Sequence, residues 1–156
     1  MKFLVVILLA IIGVLSFMLI NTKNTEIHFE STPFITHTDS NVLITPDLIN
    51  AIIRVESDGD TNAVGDSGRS VGCMQISKAV VDDVNRFSSK TYTYNDRYNR
   101  AKSIEIFKIY INHYATVKRL GHTPTSEDVA RIWNGGPNGF KKTATKSYWI
   151  KVKNEL

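Results

Sequence analysis

After residue 45, apolar residues recur at a three-to-four spacing, and the polar stretches between them mark where each run starts and stops. Ile49, Ile52 and Ile53 form the first such stripe. The segment opens with helix-start chemistry: Thr45 as cap, Pro46 in the first turn and Asp47 at the positive end of the dipole. The spacing predicts a helix over 45–57. Seven residues after Ile49, the same stripe reaches Glu56. A carboxylate there stands near the helix end in place of a core residue. Partial burial disfavours its charged form and raises its pKa. A Glu that only marks the helix end would instead point to water.

Asp58 to Arg69 is rich in Gly, Asp, Asn and Ser, which predicts a loop or short hairpin. Ser77 is placed to cap a short helix carrying Val80, Val81 and Val84. Phe87 to Asn95 is polar and aromatic without a period. A longer helix is expected over 97–118, with Ile104, Phe107, Ile111 and Tyr114 facing the core and Gly121 and Pro124 ending it. Thr125 and Asp128 have the spacing of a capping box, opening a helix through Val129, Ile132 and Trp133. Gly135-Gly136-Pro137 stops it, and a last helix is expected from Thr143 onward. The fold class is α+β and predominantly α-helical, with a short irregular or hairpin segment after the first helix.

The region before residue 45 has a different character. Phe3 to Ile20 carries no charge over 18 residues, which meets the threshold of about 18 for a membrane-span candidate. No Ala-x-Ala cleavage pattern follows it. Residues 1–21 are therefore expected to be an uncleaved membrane anchor in preference to a signal sequence. Residues 22–44 are polar and aperiodic and read as a linker, leaving 45–156 as one domain.

Composition removes several function classes. Cys73 is the only cysteine, so neither an intramolecular disulfide nor a zinc site built on several thiolates is available. His28, His37, His113 and His122 lack metal-ligand spacing. Asp58, Asp60, Asn62 and Asp66 imitate a calcium loop, but Ala63 and Arg69 stand where such a loop needs Gly and a bidentate Glu. No metal or other cofactor is expected. The net charge of +4 suits a polyanionic partner, and without a clustered basic stripe nucleic acid is the weakest choice.

Two further segments carry chemistry. Gly72-Cys73-Met74-Gln75-Ile76 joins close backbone approach, apolar filling and an amide that both donates and accepts. Ile132-Trp133-Asn134-Gly135-Gly136 sets an aromatic face beside an amide at a helix end, which suits a sugar ring. Alone, the first also reads as a buried turn and the second as a core Trp with an Asn-Gly stop.

Glu56-Ser57, Gly72 to Ile76 and Trp133 to Gly136, in this order and spacing, resemble the soluble lytic transglycosylase family, which has a lysozyme-like fold related to goose-type lysozyme. Asn62-Ala63, Gly68 and the closing Tyr148-Trp149-Ile150-Lys151-Val152 add to the resemblance, which covers about residues 46–153. Cys73 stands where the family usually has Leu. Ile132-Trp133-Asn134 replaces Ala-Tyr-Asn, which removes a hydroxyl.

The resemblance implies that Glu56 is the catalytic acid and base on peptidoglycan glycan strands. It would protonate the oxygen between N-acetylmuramic acid and N-acetylglucosamine. It would then take the 6-hydroxyl proton, closing a 1,6-anhydro ring. Ser57, Met74, Gln75, Trp133, Asn134 and Tyr148 would line the groove, with Tyr148 orienting Glu56. Two other outcomes stay open. One is a goose-type-like muramidase using water, for which Asp58, Asp60, Asp66 and Asp82 are the candidate second carboxylates. The other is a glycan-binding membrane protein without catalysis. Either enzyme would work outside the cytoplasm.

Overall fold

Thr45 starts the first helix, α1 (Pro46–Ser57), by accepting a hydrogen bond from the Leu48 backbone N–H at 3.2 Å. A computed structural model describes residues 44–156. The expected anchor at 1–21 and nearly all of the expected linker lie outside the described residues. Among those described, no helix is long and apolar enough to cross a membrane. Helix α1 buries Leu48, Ile49, Ala51, Ile52 and Ile53, a wider face than the three-isoleucine stripe. It stops at Asp58, whose backbone turns left-handed at φ 54° while its N–H still bonds Arg54 O.

The polar segment after α1 folds into a small antiparallel sheet of order β1-β2-β3: β1 (Val64–Gly65), β2 (Ser70–Val71) and β3 (Ile76–Ser77). Val71 pairs with Val64 on one side and with Ile76 on the other. Strands of two residues supply little stability of their own. Arg97 ties the sheet down. Its buried guanidinium donates to Ile76 O at 3.0 Å and to Tyr94 O at 2.7 Å, while its carbonyl accepts from the Ser103 hydroxyl at 2.7 Å. Gly72 lies against that carbonyl with φ +78°, and a Cβ there would stand 1.9 Å from Arg97 O. Only glycine fits such an approach.

Ser77 caps α2 (Lys78–Phe87), which buries Val81 and Val84. The long helix expected over 97–118 is shorter. It runs as α3 (Arg100–Tyr114), because Asn99 caps it through the Lys102 N–H and Arg97 is spent in a 3-10 turn, Tyr94–Tyr98. Thr116 then caps a separate single turn, α4 (Val117–Leu120), closed by Gly121 at φ 79°. The buried face of α3 is also rotated. Ser103, Ile106, Phe107, Tyr110 and Ile111 are inside, while Ile104 and Tyr114 are half-buried. Contact with α2 and with the helix Ser126–Gly135 centres that face between them.

Thr125 and Asp128 form the expected capping box of α5 (Ser126–Gly135). The last helix, α6 (Lys146–Asn154), begins three residues later than expected, after a 3-10 turn Thr143–Thr145. Thr145 explains the delay. It is buried, and its hydroxyl receives the Arg131 Nε–H at 3.0 Å while lying 2.8 Å from the Gly139 carbonyl. Helix α6 packs on both α1 and α5, which brings the chain's end beside Glu56.

Candidate active site

The last turn of α1 carries Glu56 out of the core at a half-buried position. Burial is the main cause that lifts its carboxyl from 4.5 to about 7. The charge of Asp66 adds to the rise, and a hydrogen bond from Tyr148 opposes it. That hydrogen bond is short: the Tyr148 hydroxyl donates to Glu56 Oε1 at 2.6 Å. Tyr148 is itself buried, and burial together with the neighbouring carboxylate holds its phenol well above the ordinary range. Helix α6 thus fixes the rotamer of a side chain carried by α1.

Glu56 faces a cavity of about 600 Å³ whose lining includes Asp66, Ser70, Gln75, Tyr110, Trp133 and Asn134. Asp66 enters from the β1–β2 turn, where it and Ser67 hold left-handed backbone at φ 48° and 57°. Its carboxylate accepts from the Ser70 hydroxyl at 2.9 Å, and its carbonyl accepts from Arg69 Nε at 3.0 Å. Gln75 is also left-handed, at φ 47°, and its amide donates to Gly72 O at 3.0 Å. Gly65 makes room for that amide, since a Cβ there would meet Gln75 Oε1 at 2.1 Å. Trp133 is half-buried, set edge-on to Phe107 and Tyr110 at centroid distances of 4.9 and 5.8 Å. Asn134 beside it is exposed.

Of the expected groove residues, Gln75, Trp133 and Asn134 line the cavity with Glu56. Three others sit elsewhere. Met74 is fully buried in the core, where the apolar turn packs inward, so it does not line the groove. Ser57 is not a lining group either: its hydroxyl donates to Cys73 O at 2.9 Å and pins the end of α1 to the Gly72–Ile76 turn. Tyr148 reaches Glu56 from behind the cavity wall.

Among the four aspartates weighed as a second carboxylate, Asp66 alone joins the cavity. Asp58 caps α1, Asp60 accepts from the Asn62 N–H at 2.8 Å, and Asp82 accepts from the Tyr94 hydroxyl at 2.9 Å. Among the described residues, no group of three His, Cys, Asp or Glu side chains comes together as metal ligands. Sequence reasoning missed Tyr110, Ser70 and Asp83, the last paired with Arg86 and accepting from the Tyr114 hydroxyl at 3.3 Å. Tyr110 was legible in principle, since it stands three residues after Phe107 on the same helical face.

A mostly helical domain with a small antiparallel sheet, in which the first helix brings a half-buried Glu to a cavity it shares with a hairpin Asp, has a lysozyme-like fold. The family model of the transglycosylase SLT domain matches residues 34–155, and the chain belongs to that family. Its match starts inside the segment read as linker. A lysozyme of Ostrea edulis is 36% identical over 90 residues, 56% of this chain and 63% of that protein. The chain thus spans under two thirds of that relative's length. The Meretrix lusoria lysozyme, solved in complex with PliI of Aeromonas hydrophila, superposes with a TM-score of 0.59 at 28% identity, covering 70% of this chain and 88% of that one. The Tapes japonica lysozyme gives 0.58 at 23% identity with the same coverage.

Proposed function

We propose that this chain cleaves the β-1,4 bond between N-acetylmuramic acid and N-acetylglucosamine in peptidoglycan by hydrolysis, with Glu56 as proton donor and Asp66 as second carboxylate. The observation that carries the reading is the pair itself. One carboxyl is held near pH 7 by burial, while an exposed one lines the same cavity. Environments that differ in this way separate an acid role from an anionic one. Glu56 gives its proton to the leaving oxygen. The Asp66 carboxylate, held by Ser70, stabilises the positive charge that develops on the sugar and directs the incoming water. Glu56 regains its proton when the new hydroxyl forms. Gln75 and Asn134 offer amides to the acetamido and hydroxyl groups, and Trp133 offers an apolar face to the ring. The similarity to lysozymes supports this course.

The family match favours a second reading, lytic transglycosylation. There Glu56 takes the 6-hydroxyl proton of the muramic acid, a 1,6-anhydro ring closes, and no water is consumed. Mass spectrometry of digested peptidoglycan separates the two. Reducing ends are expected, and anhydro ends in their place would reject hydrolysis. Either reaction puts the domain outside the cytoplasm, where its substrate lies.

A further inference from the structure

Beside the catalytic cavity lies a smaller one of about 350 Å³, lined by Gly68, Arg69, Ser77, Lys78 and Ala79. Ser77 and Ala79 line both, so the two spaces adjoin. Their charges differ in sign. Every ionisable carboxyl or basic group lining the larger cavity is acidic (Glu56, Asp66 and Asp83), whereas the smaller has only Arg69 and Lys78. Neither cation forms an ion pair with a described residue. Arg69 spends its Nε on the Asp66 carbonyl at 3.0 Å, which fixes it to the turn that carries Asp66, and its terminal nitrogens meet no hydrogen-bond partner among the described residues. The Lys78 ammonium lies over the Tyr94 ring, 5.0 Å from its centroid. Two exposed cations brought to one concave surface repel each other, and an anionic ligand relieves that repulsion.

We infer that this annex binds the carboxylate-bearing branch of the glycan, the substituent on the 3-oxygen of muramic acid. The inference rests on the glycan reading above. A ring in the main cavity sends its branch across Ser77 and Ala79 into the annex, where a guanidinium fork and an ammonium meet the carboxylate. The annex would then select muramic acid strands over uncharged chitin-like strands. The branch has two carboxylate sources: the lactyl group itself and the peptide attached to it.

Binding of three soluble oligosaccharides to the full chain, measured by calorimetry, tests this. They are a peptide-bearing muropeptide oligomer, the same oligomer stripped of peptide so that the lactyl carboxylate is free, and a neutral N-acetylglucosamine oligomer. Glu56→Gln serves as background to prevent cleavage. Adding Arg69→Gln with Lys78→Gln is expected to weaken binding of carboxylate-bearing strands about fivefold. The ratio of their Kd values to that of the neutral oligomer should collapse toward one. Loss confined to the peptide-bearing oligomer assigns the peptide as source, loss confined to the stripped oligomer assigns the lactyl carboxylate, and loss on both shows that the annex takes either carboxylate. With Glu56 intact, Lys78→Gln alone, which leaves the Arg69–Asp66 hydrogen bond in place, should raise KM on peptidoglycan about twofold and leave kcat unchanged. An unchanged ratio of Kd values would overturn the annex while leaving cleavage untouched. If the Glu56-intact chain cuts no strand, the glycan-cleaving reading fails, and the Kd ratios still decide the annex on their own.

Discussion

The two walls of the cavity at Glu56 are built by opposite means. On one side α1 carries Glu56, and five buried apolar residues of that helix hold it against the core. On the other, Asp66 sits on a turn between two-residue strands, with left-handed backbone at Asp66, Ser67 and Gln75. The helical wall is held by packing. The hairpin wall is held by hydrogen bonds from Ser70 and Arg69, and by the buried Arg97 behind it. A proton donor needs a dry, rigid seat to keep its proton near neutral pH, and packing provides one. A carboxylate that must stay charged needs water and donors, and a polar turn provides those. Under the proposed hydrolysis, the difference in construction is also a division of chemical labour.

The sharpest way to break this comparison is to remove the acid. Glu56→Gln is expected to lower kcat about 10³-fold on peptidoglycan, since it removes the proton donor of the proposed reaction. The same variant reports on the seat. A carboxyl raised from 4.5 to about 7 in the folded state contributes stability below pH 4.5 that is lost as pH rises through about 7. Glu56→Gln should therefore raise Tm relative to the parent at about pH 8 and have little such effect at about pH 4. A Tm difference that does not change with pH would refute the dry seat.

Asp66→Asn tests the opposite wall. Under hydrolysis it is expected to cost about 10²-fold in kcat, whereas the anhydro route loses little. It also removes a charge that raises the Glu56 pKa. The alkaline limb of kcat/KM should then move below its parent position near pH 7. A full loss of rate with an unmoved limb would leave Asp66 outside the electrostatic field of Glu56.

The next effect is on the scaffold. Gly72→Ala drives a Cβ into the Arg97 carbonyl at a left-handed backbone position and is expected to cost about 3 kcal/mol of stability by chemical denaturation. If the hairpin wall stands apart from the core in its stability, hydrogen exchange should show the 63–77 amides opening before those of α1.

The same division explains what was legible in the sequence. The helical wall followed from local rules: Thr45, Pro46 and the isoleucine stripe define α1, and the stripe itself points to Glu56. Trp133 and Asn134 were visible because a capping box and a Gly-Gly stop bracket their helix. The hairpin wall depends on contacts that no period encodes. Asp66 was one of four aspartates, and what sets it apart is its place on the cavity, on a hairpin anchored where Gly72 meets Arg97, 25 residues farther along the chain. Met74 misled because its neighbour Gln75 does reach the cavity, whereas Met74 turns into the core. Tyr110 was lost to a stripe read one position off, since α3 is buried from two sides.

The smallest predicted effect is the most discriminating, because it joins the chain's end to the acid. Tyr148 donates to Glu56 Oε1 at 2.6 Å, and that hydrogen bond favours the ionised form. Tyr148→Phe removes it without changing the ring. The Glu56 pKa should then rise, so the alkaline limb should move up in pH, opposite to its movement in Asp66→Asn. The rate at low pH should fall only several-fold, about what a loosened rotamer costs when the acid itself remains. Because the two variants shift the limb in opposite directions, general destabilisation cannot imitate the pair. A limb that moves the same way in both would mean that the titrating group is not Glu56, and the acid would have to be sought elsewhere in the cavity.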